Sequence, residues 1–297
     1  MKRRFVTMDV FTDAVFGGNP LGVVIDADGL TTAQMQAITR EFNYSETTFF
    51  LPPSDTANDA ALRIFTPARE VPFAGHPNIG SALAAASLGD LFGRTVGDTL
   101  RFEEKAGLVT IALTRENGTA VFAELTAPAA LELGETVSIA TAAACAKLSP
   151  ADIAVTSHAP IVASVGLPFT IAEVTSLSAL QRAGFAAADM FEKLPGDAHD
   201  LMIYARTGEG CISARMFGPL EGVPEDPATG SACAALMGLM ASLDPMTDGE
   251  CRFDITQGVE MGRPSRITAT AVKHDGQVAE VRVGGAAITV FEGTFVL

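Results

Sequence analysis

The chain has 297 residues, of which 48% are apolar, so it is long enough for two domains that each bury a core. Its formal net charge of −15 disfavours binding to nucleic acid, because phosphates call for a basic surface. No uninterrupted apolar stretch of about 18 residues is present, which disfavours a membrane span. The start of the chain predicts a first strand rather than a signal peptide.

The cysteines and histidines show no pattern typical of a metal centre or a disulfide framework. Cys145, Cys211, Cys233 and Cys251 lie far apart without a C-x-x-C pair, and the four histidines lack metal-ligand spacing. We therefore expect no metal site. Free thiols suit the reducing cytosol, so the predicted location is cytoplasmic.

Short segments rich in Val, Ile, Phe and Thr, bounded by Gly, Pro or Asp, predict a first half dominated by strands. Between the second and third strands, Thr31 or Thr32 can cap a helix that runs to about Phe42, with Met35 and Ile38 on its apolar face. The predicted strands are Phe5–Phe11, Leu21–Ile25, Thr47–Leu51, Ala61–Phe65, Val109–Leu113 and Ala120–Leu125.

Two further predicted helices differ from this one because they are small or apolar on every side. They cover Asn78–Leu88 and Thr229–Leu243, and both consist mostly of Ala, Leu, Gly and other small or apolar residues. A helix without a polar face is a buried one. Each is therefore expected at the centre of a rolled or barrel-like sheet.

The sequence repeats itself with a period of about 150 residues. The segment Arg63–Pro72 matches Arg215–Pro224 in its Arg, Phe, Pro, Val and Pro, at the same internal spacing. Downstream, Pro77–Ala85 matches Pro227–Ala235. We therefore predict a duplicated α+β fold of two pseudo-symmetric domains, each a barrel-like sheet around a central helix.

The domain boundaries follow from this repeat. The first domain is predicted over residues 1–126 and the second over residues 137–297, and the last strand could pack back on the first domain. The segment Ala127–Thr136, which contains Pro and Gly and has little pattern, is predicted to be the linker.

The starts of the two buried helices are the predicted functional site. Each has a proline suited to a first helical turn, Pro77 or Pro227, and the free N–H groups of such a turn favour an anion, for example a carboxylate. The repeat aligns His76 with Asp226, and unlike residues at equivalent positions suit acid–base chemistry. Glu46, at the start of an apolar strand, is a third candidate. Domains related by a pseudo-twofold axis would bring these groups to one cleft.

Five motifs together resemble the PhzF-like phenazine-biosynthesis protein family and cover essentially the whole chain in the family's order. The stretch Glu-Asp-Pro-Ala-Thr-Gly-Ser-Ala is highly specific for this family. The resemblance implies a diaminopimelate epimerase-like fold, which agrees with the duplication. The motifs are Phe16–Val24, Ser45–Thr47, Gly75–Pro77, Glu225–Ala232 and Gln257–Ser265.

The resemblance also implies a reaction and roles for individual residues. A proton would move between carbons of a small conjugated amino or hydroxy carboxylic acid, as in the isomerisation of trans-2,3-dihydro-3-hydroxyanthranilate, with no metal or organic cofactor. Glu46 would remove the proton and return it, and a homodimer is expected. The implied catalytic residues are Glu46, His76 and Asp226, and the substrate-binding residues are Asn19, Gly75, Gly230 and Ser231.

Two alternatives remain open at this point. The protein could be an epimerase or lyase acting on another small acid, or a non-catalytic small-molecule-binding protein with the same fold. Epimerases and racemases of the wider superfamily use two cysteine bases, whereas Ala74 and Ala228 occupy the corresponding settings here. Cys211 and Cys233 are predicted to be small core residues, so racemisation by two thiols is not expected.

Overall fold

The computed structural model describes residues 2–297, and the chain forms two compact units. The first unit contains the chain up to Leu125 together with Gly284–Leu297, and the second contains Thr126–Val283. No helix within residues 2–297 is long and apolar enough to cross a membrane.

The first unit consists mainly of strands, at or near the positions that the sequence predicts. Two helices connect them, α1 (Thr32–Phe42) and α2 (Gly75–Leu88). The strands are β1 (Lys2–Val10), β2 (Asn19–Val24), β3 (Glu46–Leu51), β4 (Ala60–Phe65), β5 (Glu70–Val71), β6 (Asp90–Leu91), β7 (Arg94–Thr95), β8 (Thr99–Glu104), β9 (Gly107–Glu116) and β10 (Thr119–Thr126).

The strands of this unit form a mixed sheet. β1 is antiparallel to β2, β2 is parallel to β3, β3 is antiparallel to β4, β4 is parallel to β8, and β8 is antiparallel to β9. The short β5 pairs with β4, and β10 pairs with β9, both antiparallel. Parallel neighbours need a crossover connection. The crossovers are α1 between β2 and β3, and α2 between β4 and β8.

The helix α1 is amphipathic, as predicted from its apolar spacing. Thr31 caps it: its hydroxyl accepts from the Gln34 N–H at 3.2 Å, and Gln34 Oε1 accepts from the Thr31 N–H at 2.9 Å. Met35 and Ile38 are buried in one cluster with Phe49 of β3. The capping box and the apolar face therefore fix where this helix starts and which side packs on the sheet.

The helix α2 has no polar face, and its residues from Gly75 to Ala85 are all buried. It contacts β1, β2, β3 and β9. A Cβ on Gly80 would lie 2.6 Å from Leu21 Cδ2 and 2.7 Å from Val10 Cγ2, so a larger residue would require these side chains to move. The small residues that identified the helix as buried are those that let the sheet come close to it.

The second unit has more helices and a similar mixed sheet. Short 3₁₀ turns lie at Pro150–Asp152, Pro219–Glu221 and Val259–Met261. The helices are α3 (Ile139–Cys145), α4 (Leu177–Arg182), α5 (Ala188–Phe191) and α6 (Gly230–Leu243). The strands are β11 (Glu132–Thr136), β12 (Ile161–Ser164), β13 (Pro168–Glu173), β14 (Leu201–Gly208), β15 (Cys211–Gly218), β16 (Val223–Asp226), β17 (Gly249–Gln257), β18 (Ser265–His274) and β19 (Gln277–Gly285).

The strand pairing of the second unit repeats that of the first. β12 is antiparallel to β13, β13 is parallel to β14, β14 is antiparallel to β15, β15 is parallel to β17, and β17 is antiparallel to β18. The short β16 pairs with β15 as β5 pairs with β4. The helices α4 and α5 replace α1 at the first crossover, and α6 replaces α2 at the second. The internal repeat of the sequence is therefore also a repeat of strand order and direction.

One strand flanks each of these sheets, and the two come from different parts of the chain. The final strand β20 (Ala287–Val296) pairs antiparallel with β1 over Lys2–Val10 and belongs to the first unit. In the second unit β11 pairs antiparallel with β12. The linker predicted at Ala127–Thr136 is therefore wrong, because this segment lies within the second unit and ends in β11. All five residues of β11 are exposed, so no buried face imposed the alternation that would have revealed a strand.

The repeat extends to side-chain contacts of two arginines. Arg63 pairs with Glu70 at 2.7 Å and Arg215 pairs with Glu225 at 2.7 Å. Each guanidinium also lies 5.1 Å from the ring centroid of the phenylalanine two residues later in its strand. Each pair joins β4 or β15 to the short strand that leads towards a buried helix.

Candidate active site

Glu46 and His76 come together in the first unit, although 30 residues separate them in the sequence. Glu46 Oε2 lies 2.9 Å from His76 Nδ1, and the exposed fractions of the two side chains are 15% and 6%. A carboxylate accepts, so this geometry assigns the proton to Nδ1. His76 Nε2 is buried and has no hydrogen-bond partner within residues 2–297. Unsatisfied buried polar atoms are rare and often mark sites of chemistry.

The fold positions both groups on elements whose neighbouring residues are buried. Glu46 opens β3 in register with Leu21 of the parallel strand β2, and the rest of β3 packs into the core. His76 is the second residue of α2. The hydroxyls of Thr48 and Ser81 lie 2.9 Å apart and join the same strand to the same helix. The pair therefore sits on a rigid strand–helix contact rather than on a loop.

Asn19 and Gly75 were predicted to bind substrate; Gly75 precedes His76 in the chain, and Asn19 contacts Ser45, the residue before Glu46. Asn19 is fully buried, and its Oδ1 accepts from the hydroxyl of Ser45 at 3.0 Å, next to Glu46. The turn before Asn19 contains Gly18 at φ +60°, where a Cβ would lie 2.2 Å from the carbonyl oxygen of Val10. Gly18 thus allows the chain to bring Asn19 against Ser45.

The two buried helices begin without a side-chain cap. The residue before α2 is Ala74, and Thr229 before α6 does not bond back to a helix N–H group. This leaves first-turn N–H groups available to an anion. Gly75 and Gly230 are the first residues of α2 and α6, and Ser231 is the second residue of α6.

The predicted helix starts need correction. α2 begins three residues before Asn78, so His76 and Pro77 lie inside its first turn. α6 begins at Gly230, so Pro227 precedes even the cap residue and does not open the helix. His76 is therefore helical, whereas Asp226 ends the strand β16. The bend between this strand and α6 takes up Pro227, which the pattern assigned to a first helical turn, and Thr229, which it assigned to the helix.

Asp226 belongs to a second polar cluster, in the second unit, and is 8% exposed. The Thr229 hydroxyl donates to Asp226 Oδ2. Gln257 Nε2 donates to the carbonyl oxygen of Asp226 at 2.7 Å, and Gln257 Oε1 accepts from the Thr229 N–H at 3.2 Å. The cluster orients the Asp226 carboxylate and fixes the chain on both sides of it.

Gln257 and Gly258, whose role the sequence left unassigned, contact the turn that follows Asp226. Gln257 is 1% exposed, at the end of β17, and bonds to both Asp226 and Thr229. Gly258 has φ +75°, and a Cβ there would lie 2.6 Å from the carbonyl oxygen of Pro227. The motif that begins at Gln257 therefore supports the turn that carries Asp226. The glycine was the sequence feature that could have indicated this role, because a close approach between two backbone segments requires a residue without a Cβ.

The cysteines occupy ordinary structural positions. Cys145 and Cys233 are buried, and burial raises the pKa of both thiols, that of Cys145 to about 11. The prediction that Cys211 is a core residue is wrong, since it opens β15 and is exposed. Strand alternation at this end of β15 places its side chain on the solvent face.

Comparison with known proteins assigns the chain to a family. The family model described as phenazine biosynthesis-like protein, PhzC-PhzF, matches residues 8–293. A trans-2,3-dihydro-3-hydroxyanthranilate isomerase of Pseudomonas chlororaphis is 38% identical over 99% of both chains. A protein of Mesorhizobium japonicum named an uncharacterized isomerase is 40% identical over 98% of both chains.

Solved structures of known proteins support the same family assignment. A PhzF-family phenazine biosynthesis protein of Bacillus anthracis matches with a TM-score of 0.88 and 26% identity over the whole of both chains. A hydroxyproline epimerase of Agrobacterium vitis shares the fold, with a TM-score of 0.65 and 14% identity over 100% of this chain and 93% of that one. The α+β fold is therefore that of the diaminopimelate epimerase-like proteins. With a family match over nearly its whole length and relatives of 37–40% identity named isomerases, the chain is an isomerase of the phenazine biosynthesis-like (PhzC-PhzF) family.

Proposed function

We propose that the protein moves a proton between carbon atoms of a small conjugated amino or hydroxy carboxylic acid, with Glu46 as the acid–base group. The observation that carries this proposal is the 2.9 Å contact of Glu46 with His76 in a chain of this family. The relatives named trans-2,3-dihydro-3-hydroxyanthranilate isomerases support this class of substrate.

In the proposed reaction Glu46 takes a proton from a ring carbon, and the electron pair enters the conjugated system. The neutral acid then returns the proton to a carbon at the other end of that system, so atoms and electrons balance without an oxidant or reductant. The His76 Nδ1–H group holds the carboxylate in one orientation during both transfers. A positioned acid–base group of this kind typically contributes about 10²–10⁴-fold in rate.

The remaining predicted residues have proposed roles in binding. The uncapped first turn of α2, which starts at Gly75, suits a substrate carboxylate. Gly230 and Ser231 at the start of α6 offer similar N–H donors and a hydroxyl. The carboxylate of Asp226 suits a protonated amino group or a hydroxyl. We also propose that in each unit the mixed sheet closes around its buried helix as a barrel, which would exclude water from the helix start.

The decisive experiment replaces Glu46 by Gln, which keeps the size of the side chain but cannot take a proton from carbon. With trans-2,3-dihydro-3-hydroxyanthranilate as the probe, kcat is expected to fall by about 10²–10⁴-fold or more. Affinity for a non-reacting substrate analogue should hold, because other groups bind the anion. Turnover, proton NMR in D₂O and isothermal titration measure these quantities.

The matched control is Glu41→Gln, on an exposed position of α1, which should behave as the wild type. Asp226→Asn should weaken analogue binding as well as turnover, unlike Glu46→Gln. Near wild-type turnover by the Glu46→Gln protein would refute the assignment. Deuterium exchange with inversion at one carbon would show an epimerase instead, elimination of a group a lyase, and tight binding without any exchange a binding protein.

A further inference from the structure

Glu104 is an acidic residue on the buried side of β8. Leu100 and Phe102 of this strand are buried, and Glu104 follows them at a spacing of two, which puts it on the same face. Both of its carboxyl oxygens are buried, and neither has a hydrogen-bond partner within residues 2–297. An ionised carboxylate without any donor is among the most costly groups to bury.

Asn78, in the first turn of α2, also has a buried side-chain oxygen without a hydrogen-bond donor. Its side chain is fully buried, and Nδ2 donates to the carbonyl oxygen of Ala74 at 3.0 Å. Its Oδ1 is buried and accepts from no donor within the described residues. The Asn78 oxygen and an ionised Glu104 carboxylate are both acceptors, so they cannot form a hydrogen bond with each other. They can do so only if the Glu104 carboxyl group carries a proton.

A neutral Glu104 resolves both defects, because its O–H group can donate to Asn78 Oδ1. Burial raises the pKa of Glu104 to about 8, and the neighbouring Asn78 side chain lowers it by a smaller effect. One N–H of Asn78 Nδ2 donates to Ala74, and neither Glu104 oxygen accepts a hydrogen bond from the other, so this neighbour stabilises a Glu104 anion only weakly. The geometry and the burial therefore favour the same protonation state.

We propose that Glu104 is an uncharged positioning residue whose carboxylic acid donates to Asn78 and thereby holds the turn that presents His76 to Glu46. A backbone bond supports this coupling: the Ala106 N–H, in the turn after β8, donates to the carbonyl oxygen of Pro72 at 3.1 Å, two residues before Ala74. The tip of the β8–β9 hairpin is thus attached to the segment that leads into α2.

The charged groups on the surrounding elements have other partners. On the same hairpin, Lys105 pairs with Glu70 of β5 at 2.6 Å, and Glu70 pairs also with Arg63 of β4. Glu103 accepts from the backbone N–H groups of Ser54 and Asp55. On α2, His76 contacts Glu46. None of the described ionic contacts includes Glu104, so its titration is governed by burial.

A proton on buried Glu104 also makes the stability of the fold depend on pH, independently of activity. The folded state keeps a proton on Glu104 up to about pH 8, whereas the unfolded chain releases it near the ordinary value of 4.5. The unfolded state therefore becomes more stable relative to the folded state as the pH rises between these values. Between these two pH values, Glu104 should shift the folding equilibrium towards the unfolded state about tenfold for each pH unit. Above about pH 8 it should cause no further shift.

The test compares wild type with Glu104→Gln, whose amide is a permanent neutral donor to Asn78. Urea unfolding at pH 5 and pH 8 measures the free energy of unfolding. This free energy should fall between the two pH values in the wild type but not, through this group, in the variant. The matched control is Glu103→Gln on the neighbouring solvent-side residue, whose pKa is lowered to about 2 by bonds from Asn58, Asp55 and Ser54. This control should keep the decline, because Glu103 is ionised throughout the window.

A direct measurement follows the titration of the Glu104 carboxyl group by NMR. With ¹³Cδ-labelled glutamate in a Glu46→Gln background, one carboxyl resonance should titrate near pH 8 and disappear in the Glu104→Gln variant. If every glutamate titrates below about pH 6, or if Glu104→Gln declines with pH as the wild type does, the proposal fails. The positioning role rests on the proposed function and is measured by kcat/KM. In the wild type and in Glu103→Gln, kcat/KM should decline at alkaline pH, whereas in Glu104→Gln this decline should be absent. A protein without isomerase activity would refute the function while leaving the resonance and the unfolding data to decide the protonation state.

Discussion

At the scale of residues, two glycines of the Gln257 motif allow the turn around Asp226 to be tested. Gly258 and Gly262 have φ of +75° and +71°, so alanine is strained at both. A Cβ on Gly258 would lie 2.4 Å from the carbonyl oxygen of Arg263, whereas nothing lies within 4 Å of one on Gly262. Gly262→Ala should therefore cost about 1–2 kcal/mol of unfolding free energy, and Gly258→Ala clearly more.

The same pair separates strain from function. Because Gly258 also abuts Pro227, its replacement should displace the turn and weaken binding of a substrate analogue, while Gly262→Ala should leave binding intact. Chemical denaturation and calorimetric titration of both variants provide the comparison. Equal losses of stability and unchanged binding in the two proteins would mean that the close approach to Pro227 has no role in the site.

At the scale of elements, the duplicated arginines predict unequal contributions to stability. Arg215 is 6% exposed, pairs with Glu225, and donates also to the carbonyl oxygens of Leu180 and Ala183. Arg215→Met removes the arginine donors of the Glu225 carboxylate and of the Ala183 carbonyl oxygen, whereas the Leu180 carbonyl oxygen keeps the Ala183 N–H. Breaking a buried pair in this way costs about 3–5 kcal/mol. Arg63→Met should cost only about 1 kcal/mol, since Arg63 is 26% exposed and its partner Glu70 keeps Lys105.

Urea denaturation of the two methionine variants measures this difference. The charge removed is the same in both, and each arginine also lies over a phenylalanine ring at the same distance, so the loss of the ring contact is matched. A larger loss for Arg63→Met than for Arg215→Met would contradict the argument from burial.

At the scale of the whole molecule, the first unit depends on the end of the chain. β20 pairs with β1 along Lys2–Val10, so deletion of Gly284–Leu297 removes one of the two neighbours of β1. Amide hydrogen exchange in β1 should then become faster by orders of magnitude, because its hydrogen bonds to β20 are lost. Phe291→Ser alters an exposed side chain of β20 but keeps its backbone, and should leave exchange in β1 slow. Slow exchange after the deletion would show that β20 is dispensable to the unit.

The sequence by itself determined the features that are written in local patterns. The capped helix α1 and the two buried helices follow from the spacing and size of neighbouring side chains. The duplication and the family motifs were equally visible, because they are comparisons of one segment with another. Glu46, His76 and Asp226 were predicted as catalytic residues from their motifs and the resemblance, without knowledge of which side chains touch.

Only the tertiary structure decided which residues meet. The contact of Glu46 with His76 and the bonds of Gln257 to Asp226 join residues about 30 positions apart, and no periodicity records such pairings. The strand β11 was hidden by its fully exposed residues, and the membership of β20 in the first unit follows from pairing with the opposite end of the chain. The burial of Glu104 likewise depends on α2 and the β8–β9 hairpin together. Local patterns report which face of an element is buried, whereas the partner that buries it is set by the fold.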